Sequence, residues 1–182
     1  MQAPNTTPLD TAIVTLFEDL QHSLETLEAS NTQYNRRVYI RVFFALVEGS
    51  IHMIKQLTFS HGHYTQKITV PEAVMLVEAS YEVKENGRIN SSVQFIKLAG
   101  NFRFMIRCAE KVFDIQTLFD ASRSEWKEFR DCIKVRHRIT HPKKNRDMII
   151  TDEEIEQMKK IEGWYKKIFT DLFNKMAPYV VK

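Results

Sequence analysis

Arg136, His137 and His141 lie close together in the segment Arg-His-Arg-Ile-Thr-His. An arginine guanidinium can hold two oxygens of a phosphate and stabilise the charge that develops on them, because its N–H groups form a planar fork. A histidine imidazole gives or takes a proton near neutral pH. These residue types therefore suit acid–base chemistry at a phosphate, such as attack of a ribose 2′-hydroxyl on the adjacent phosphorus of RNA.

The segment that carries these residues has the pattern of one helix stopped by a proline. Ser122 and Glu125 have the spacing of a capping box, which predicts that the helix begins there. Pro142 disfavours the α region for the residue before it, so His141 is expected to be extended just past the last helical turn. In a continuous helix Arg136 and His141 would diverge by roughly 140° around the axis. The proline releases the histidine from that geometry, so that it can turn toward the arginine or a neighbouring chain.

The end of the predicted helix is strongly basic. Between positions 127 and 146 there are eight lysines and arginines and two acids. Cations at this density bind the phosphate backbone of a nucleic acid, which gives salt-dependent affinity with little sequence information. We expect these contacts from Lys134, Arg138, Lys143 and Lys144. The net charge of +3 for the whole chain agrees with a nucleic-acid partner but is weaker evidence than the local cluster.

The segment from Arg136 to His141 resembles the Arg-x4-6-His motif of the HEPN superfamily (higher eukaryotes and prokaryotes nucleotide-binding). HEPN motifs commonly have Asn, Asp or His after the arginine, here His137, and bacterial members often continue with proline and lysine, here Pro142 and Lys143. The resemblance extends to the predicted order of helices over nearly the whole chain. It implies a helical bundle and, as in many members, a metal-independent endoribonuclease. It also implies a homodimer in which two motifs face one cleft.

The resemblance also implies roles for individual residues. Arg136 would hold the phosphate and stabilise the transition state, and His141 would be the general acid or base. His137 would position the substrate or the arginine. HEPN proteins often place a polar side chain on an early helix near the motif, which makes Glu48 a candidate to orient Arg136. Glu48 lies in an apolar helix face, where an unpaired carboxylate is costly, so we expect it to find a partner; the alternative is an ordinary glutamate at the edge of the helix in solvent.

The partners implied by the resemblance are RNA, a second copy of the chain, and an antitoxin or other regulatory protein of a toxin–antitoxin or defence system. Some HEPN toxins carry a tyrosine two residues after the motif histidine, which a partner nucleotidyltransferase modifies. This chain has Lys143 at that position, so that form of regulation is not implied here.

Composition and helical periodicity predict one all-α domain over residues 1–182, a bundle of about five to six helices. The resemblance implies that this bundle is HEPN-like. Hydrophobic residues make up 43% and charged residues 27% of the chain, as is ordinary for a globular protein. Five glycines and five prolines leave little material for a turn-rich β fold. The longest apolar run, from Val42 to Val47, is far too short to span a membrane. The first seven residues lack the pattern of a signal peptide, so we expect a cytoplasmic protein.

Apolar residues at helical spacing and local stop signals predict where the helices run. Thr69 with Glu72, and Thr151 with Glu154, have capping-box spacing, and Asn86-Gly87 is interpreted as a helix stop. Besides the motif helix, helices are predicted from the Thr7–Asp10 segment to Ala29, from Tyr34 to Phe59, from Thr69 to Glu85, from Asn90 to Phe113, and from Thr151 through Phe173.

No metal or other cofactor is predicted. His61 and His63 could suggest a metal pair, but no third ligand lies near them in the sequence. Cys108 and Cys132 lack metal-ligand spacing, and both are expected to be buried thiols on helices.

Two other classes of function fit the same sequence. The first is a HEPN domain that binds RNA or a nucleotide without cutting it, or serves as a protein-interaction module. The second is a helical assembly protein with no nucleic-acid role, in which Lys143 and Lys144 affect only solubility. A helix-turn-helix protein is disfavoured, because no pair of short helices flanks a tight glycine turn.

Overall fold

The computed structural model describes residues 8–180 of the chain, and the side chains of residues 12–179. The described part is mostly α-helical, with six α-helices, one 3₁₀ helix and one two-stranded sheet, and this confirms the prediction of a largely helical protein with five to six helices. The elements are α1 (Pro8–Ala29), α2 (Gln33–Tyr64), α3 (Val70–Leu76), β1 (Ala79–Val83), β2 (Ile89–Val93), α4 (Leu98–Phe113), α5 (Ser124–Thr140), the 3₁₀ helix (Asn145–Met148) and α6 (Asp152–Val180). The predicted opening of the first helix at Thr7 lies outside the described residues.

The described residues form two compact units. The first unit comprises residues up to 50 together with 120–169, and the second comprises 51–119 together with 170–180. The single domain predicted over residues 1–182 remains a prediction. Within residues 8–180, none of the helices combines the length and the apolarity that a membrane crossing requires.

The core of the first unit is built around Phe129 on α5. Its ring lies 6.2 Å from Phe44 of α2, 5.7 Å from Trp126 and 6.2 Å from Tyr165 of α6, measured between ring centroids. All four aromatic side chains are buried. Offset and tilted aromatic contacts of this kind add to the free energy gained by burying the rings. They fix α5, the helix that carries the motif, against α2 and α6.

The second unit departs from the all-α prediction. Helix α3 ends at Leu76 instead of reaching Glu85, and α4 begins at Leu98 instead of Asn90. The residues between them form an antiparallel hairpin in which β1 pairs with β2 in the register Ala79 to Val93 through Val83 to Ile89.

The hairpin turn explains why the helical prediction was wrong in this region. The amide of Gly87 donates to the carbonyl of Lys84 (2.8 Å), and Gly87 has φ of 76°, a left-handed conformation that glycine adopts without steric cost. A tight turn followed by a left-handed glycine connects antiparallel strands as readily as it ends a helix. Asn86-Gly87 is therefore a hairpin turn here, and the apolar residues beside it alternate with the period of a strand.

Local capping signals were read correctly at two helices and wrongly at the motif helix. Thr69 and Glu72 form a complete capping box at α3, and at α6 the Glu154 amide donates to the Thr151 hydroxyl while the Thr151 amide donates to the Glu154 carboxylate. Helix α5 begins at Ser124 without a side-chain cap. The Ser122 hydroxyl instead donates to the Asp120 carboxylate at 2.7 Å, in the loop before the helix.

Candidate functional site

Helix α5 presents the motif because its two faces differ in polarity. Trp126, Phe129, Cys132 and Ile139 are buried at helical spacing in the first unit. The buried face fixes the rotation of the helix about its axis. The motif residues, which lie off that face, are half-buried or exposed at its C-terminal end.

Arg136 forms an ion pair with Glu48 of α2, at 2.6 Å between Nη2 and Oε1. The Arg136 side chain is 29% exposed and that of Glu48 is 45% exposed. Glu48 thus has the partner expected for it, although it also faces solvent, as the alternative interpretation required. A charge-assisted hydrogen bond of this length directs the guanidinium toward Glu48. The bond uses one of the five N–H groups of Arg136, so the fork keeps donors for another anion.

His137 and His141 adjoin each other at the end of α5. Their ring centroids are 5.0 Å apart and both residues are exposed. The His141 amide still donates to the carbonyl of His137, but its own backbone has φ of −126° and ψ of 60°. The residue therefore leaves the α region, as the proline after it predicts, while its ψ falls short of a fully extended strand. Two imidazoles consequently face solvent one helical turn apart.

The described contacts join the four candidate catalytic residues in two pairs. Glu48 contacts Arg136, and His137 contacts His141. All four belong to the first unit.

The predicted RNA-binding lysines remain open to solvent. Lys134 forms an ion pair with Asp131 at 2.7 Å, but its side chain is 77% exposed, and such pairs contribute little. Lys143 and Lys144 follow the helix with their backbone amides donating to the Asp147 carboxylate. Neither ammonium group has an ion pair with a residue of 12–179. These side chains can approach a phosphate backbone without first breaking a strong contact.

Arg138 has a different setting from the lysines. Its Nη2 atom donates to both carboxylate oxygens of Glu154, at 3.0 and 2.9 Å, and to the carbonyl of Ile149 at 3.0 Å. The side chain is 34% exposed. These contacts tie the end of α5 to the start of α6, so Arg138 has fewer donors to offer a phosphate than Lys143 or Lys144. Its predicted contact with RNA remains a prediction.

Two arginines on α2, not among the residues predicted from the sequence, contact the motif helix and the 3₁₀ helix that follows it. Arg41 Nη2 donates to the carbonyl of Ile139, and Arg37 Nη1 donates to the carbonyl of Met148, both at 3.0 Å. The last carbonyls of a helix lack an intrahelical partner, so Arg41 satisfies one of them next to the motif. Arg37, Arg41 and Glu48 recur at spacings of four and seven, which is a stripe on one helix face. That spacing could have identified the two arginines from the sequence, because it places them on the helix face that carries Glu48.

The described residues 12–179 contain no cluster of three or more His, Cys, Asp or Glu side chains that could hold a metal ion. His61 stacks on Phe113 with ring centroids 4.8 Å apart, and His63 stacks on Phe59 at 6.0 Å. Both histidines therefore take part in aromatic contacts in the second unit.

Both cysteines are buried free thiols on helices, as predicted. Burial raises the pKa of Cys132 to about 12 and that of Cys108 to about 11. A thiol with so high a pKa supplies almost no thiolate near neutral pH, which disfavours a role as nucleophile.

A surface groove of the first unit is lined by none of the motif residues. It is bordered by the end of α1 and the start of α6, with Leu27, Asn31, Asp152, Ile155 and Lys159 in its lining. Asp152 is engaged by Arg36, whose guanidinium also donates to the carbonyl of Ile150. His137 and His141 of the motif are exposed, and Arg136 is half-buried.

Comparison of the chain with protein-family models, with curated proteins and with solved structures found no match. The resemblance to the HEPN superfamily consequently rests on the motif residues and the order of helices.

Proposed function

We propose that this protein is a metal-independent endoribonuclease of the HEPN type, with its site at the end of α5. The observation that carries the proposal is an arginine paired with a carboxylate, with one exposed histidine on the last turn of the same helix and a second directly after that turn. This arrangement supports chemistry at a phosphodiester, because it combines a bidentate anion donor with proton carriers.

In the proposed reaction, the 2′-oxygen of a ribose forms a bond to the adjacent phosphorus and the bond from phosphorus to the 5′-oxygen breaks. The products are a 2′,3′-cyclic phosphate and a free 5′-hydroxyl. The 2′-hydroxyl loses its proton and the departing 5′-oxygen gains one. His141 carries one of these two transfers, which contributes about 10²–10⁴-fold to the rate. Arg136 holds the non-bridging oxygens through N–H groups that Glu48 does not occupy, and stabilises the charge that grows on them.

His137 and the surrounding cations complete the proposed site. His137 adjoins the His141 ring at 5.0 Å and would set its position or contact the substrate. Lys134, Lys143 and Lys144 would follow the RNA backbone. Such contacts carry no base information, so selectivity would come from unpaired loops or from the shape of the RNA.

The resemblance to HEPN proteins extends the proposal to assembly and context. A homodimer would bring two copies of Arg136 and His141 to one cleft. An antitoxin or other regulatory protein of a toxin–antitoxin or defence system would restrain the activity in the cytoplasm.

The test is cleavage of a mixed single-stranded RNA in the presence of EDTA by the wild type, Arg136→Ala and His141→Ala. We expect the wild type to leave 2′,3′-cyclic phosphate ends, and each variant to lose at least about 100-fold in rate. Lys167→Ala, a change at an exposed position of α6 in the same unit, serves as a matched control and should cut like the wild type.

Binding of RNA without cleavage by the wild type would overturn the catalytic proposal and favour a non-catalytic RNA-binding module. Absence of binding at low salt would overturn any role in RNA recognition and favour a helical assembly protein. Cleavage that persists in His141→Ala with unchanged ends would place the proton carrier elsewhere.

A further inference from the structure

The hairpin of the second unit has one apolar face. Residues directly opposite each other in antiparallel strands point to the same side of the sheet, and successive residues alternate between sides. One face therefore carries Ala79, Tyr81, Val83, Ile89, Ser91 and Val93. The opposite face carries Ser80, Glu82, Asn90 and Ser92.

The apolar face is open to solvent. Tyr81 is 58% exposed, Val83 72%, Ile89 71% and Val93 83%. Phe95, two residues after β2, is 88% exposed. These five residues, which we call the hairpin patch, are far more exposed than apolar residues in a strand with one buried face.

A two-stranded hairpin gains little stability by itself in water and needs further strands or a packed surface against its apolar side. Its strand pairs are also weakly fixed in register unless one face is buried, because burial is what distinguishes the two faces. The alternation is clear, and the residues whose side chains are described, 12–179, leave the apolar side exposed, which is typical of a surface that binds a partner.

We propose that a second copy of this chain covers the hairpin patch, face to face, so that two hairpins pack as a small β-sandwich. The charge pattern favours identical copies. A two-fold interface places the same patch on both subunits. Any charged residue in the patch would therefore lie close to charged residues of the same sign on the other subunit. None of the six residues on the apolar face is charged, so apposing two copies of it brings no like charges together.

The area of the patch also fits this occupant. A buried aromatic side chain removes about 150–250 Å² from water. An aliphatic side chain removes roughly 60–120 Å², which is the area that corresponds to its transfer free energy at about 25 cal/mol per Å². Scaled by the exposed fractions of its residues, the hairpin patch offers roughly 500 Å² per copy and about 1,000 Å² for two copies. That total reaches the lower bound of about 1,000 Å² for specific association and predicts a dimer that dissociates on dilution.

This contact is independent of the proposed ribonuclease activity. The hairpin patch belongs to the second unit, whereas Arg136 and His141 belong to the first. A pairing of two motifs would be a separate contact in the first unit. A substitution in the hairpin patch should change the hairpin contact, and a substitution in the motif should change the motif contact.

Sedimentation velocity of the full chain over a concentration series tests the proposal with a matched pair of variants. Ile89→Lys places a charge on the apolar face, at a position 71% exposed, where lysine fits without disturbing the fold. Ser92→Lys places the same charge on the opposite face of the same strand. We expect the wild type and Ser92→Lys to associate, and Ile89→Lys to show half the mass, with the helical circular dichroism of all three unchanged.

A cysteine pair gives a second readout that does not depend on added charge. Ser91→Cys lies at the middle of the apolar face and Ser92→Cys lies on the reverse, while the two native thiols are buried. We expect Ser91→Cys to form an intermolecular disulfide on mild oxidation and Ser92→Cys to form much less. A wild type that stays monomeric at every concentration, or an Ile89→Lys variant that associates like the wild type, would overturn the proposal.

Discussion

Arg136 and Glu48 lie 88 positions apart in the chain and meet in an ion pair of 2.6 Å. The pair fixes the motif arginine, but it also places a negative charge next to the proposed phosphate position. Glu48 therefore has two opposing effects on a polyanion. In the proposed site it would orient the guanidinium that binds the phosphate, and it would compete with the phosphate for that guanidinium.

Glu48→Gln separates these effects. Loss of the charge should strengthen RNA binding by a few-fold, while the less rigid arginine should lower the cleavage rate by about 10-fold, so that KM and kcat fall together. Steady-state cleavage kinetics measure both. Glu128→Gln, which removes a carboxylate of α5 paired with Lys160 of α6, is the control and should leave both constants unchanged. A rise in KM at constant kcat would contradict the orienting role.

His137 and His141 should differ in their contributions to cleavage. If His141 carries the proton, His141→Ala should lose at least about 100-fold in kcat. His137→Ala should lose about 10-fold or less, because it removes a neighbour of the reacting ring and leaves the proton carrier in place. The pH dependence of kcat/KM distinguishes the roles, since only removal of the proton carrier should abolish a limb of the profile. An equal loss in both variants would indicate that the two imidazoles act as one unit.

Arg41 should stabilise the end of the motif helix. Arg41→Ala leaves the carbonyl of Ile139 without this donor, and we expect a loss of about 0.5–1.5 kcal/mol in the free energy of unfolding. Urea denaturation measures the change. Arg41→Lys keeps the charge with a single-point donor and should recover part of the loss. A loss of cleavage rate in Arg41→Ala under conditions in which the variant is folded would show that the helix end must be held for activity.

Lys143 and Lys144 should contribute to RNA affinity through charge alone. Changing both to Gln should reduce the slope of log K against log salt for single-stranded RNA by about 1.4, since each phosphate contact contributes roughly 0.7. Titrations at several salt concentrations measure the slope. Arg138→Gln is the informative comparison, because its guanidinium is engaged by Glu154. That change should lower the free energy of unfolding, and it should reduce the slope by less than the roughly 0.7 expected for one phosphate contact.

The buried ammonium of Lys55 should make the second unit sensitive to acid. Lys55 is 1% exposed and contacts Glu78 Oε1 at 2.7 Å, and Asn101 donates to the same oxygen at 2.9 Å. Burial raises the pKa of Glu78, but the Lys55 and Asn101 hydrogen bonds and the Lys55 charge outweigh it, so the pKa lies below its ordinary value.

A carboxyl with a lowered pKa in the folded state stabilises the protein above its ordinary pKa, and this contribution is lost as the pH falls below 4.5. Glu78→Gln should therefore flatten the acid limb of the curve of unfolding free energy against pH. At pH 7 it should cost about 1–3 kcal/mol, because it leaves a buried ammonium without its counter-charge. Glu82→Gln, on the exposed hairpin, should change neither quantity by more than about 0.5 kcal/mol. An acid limb as steep in Glu78→Gln as in the wild type would contradict this account.

The sequence by itself determined the features that depend on neighbouring residues. The end of α5 follows from Pro142, and the boxes of Thr69 with Glu72 and Thr151 with Glu154 follow from contacts three residues apart. The buried face of α5 follows from helical spacing. Such features could be predicted because the interacting groups are separated by a turn or less, so the local chain fixes their geometry.

Only the tertiary structure decided which distant groups meet. Nothing local specifies that Arg41 reaches the carbonyl of Ile139, 98 positions away. The pairing of Glu48 with Arg136 was expected only from the resemblance, because neighbouring residues carry no signal for it. The segment from 77 to 97 was ambiguous for a related reason. Its short apolar pattern and its Asn-Gly turn suit a helix end as well as a hairpin, and the choice depends on contacts such as those of Glu78 with Lys55 and Asn101. Packing between distant segments, which outweighs small local preferences, made that choice.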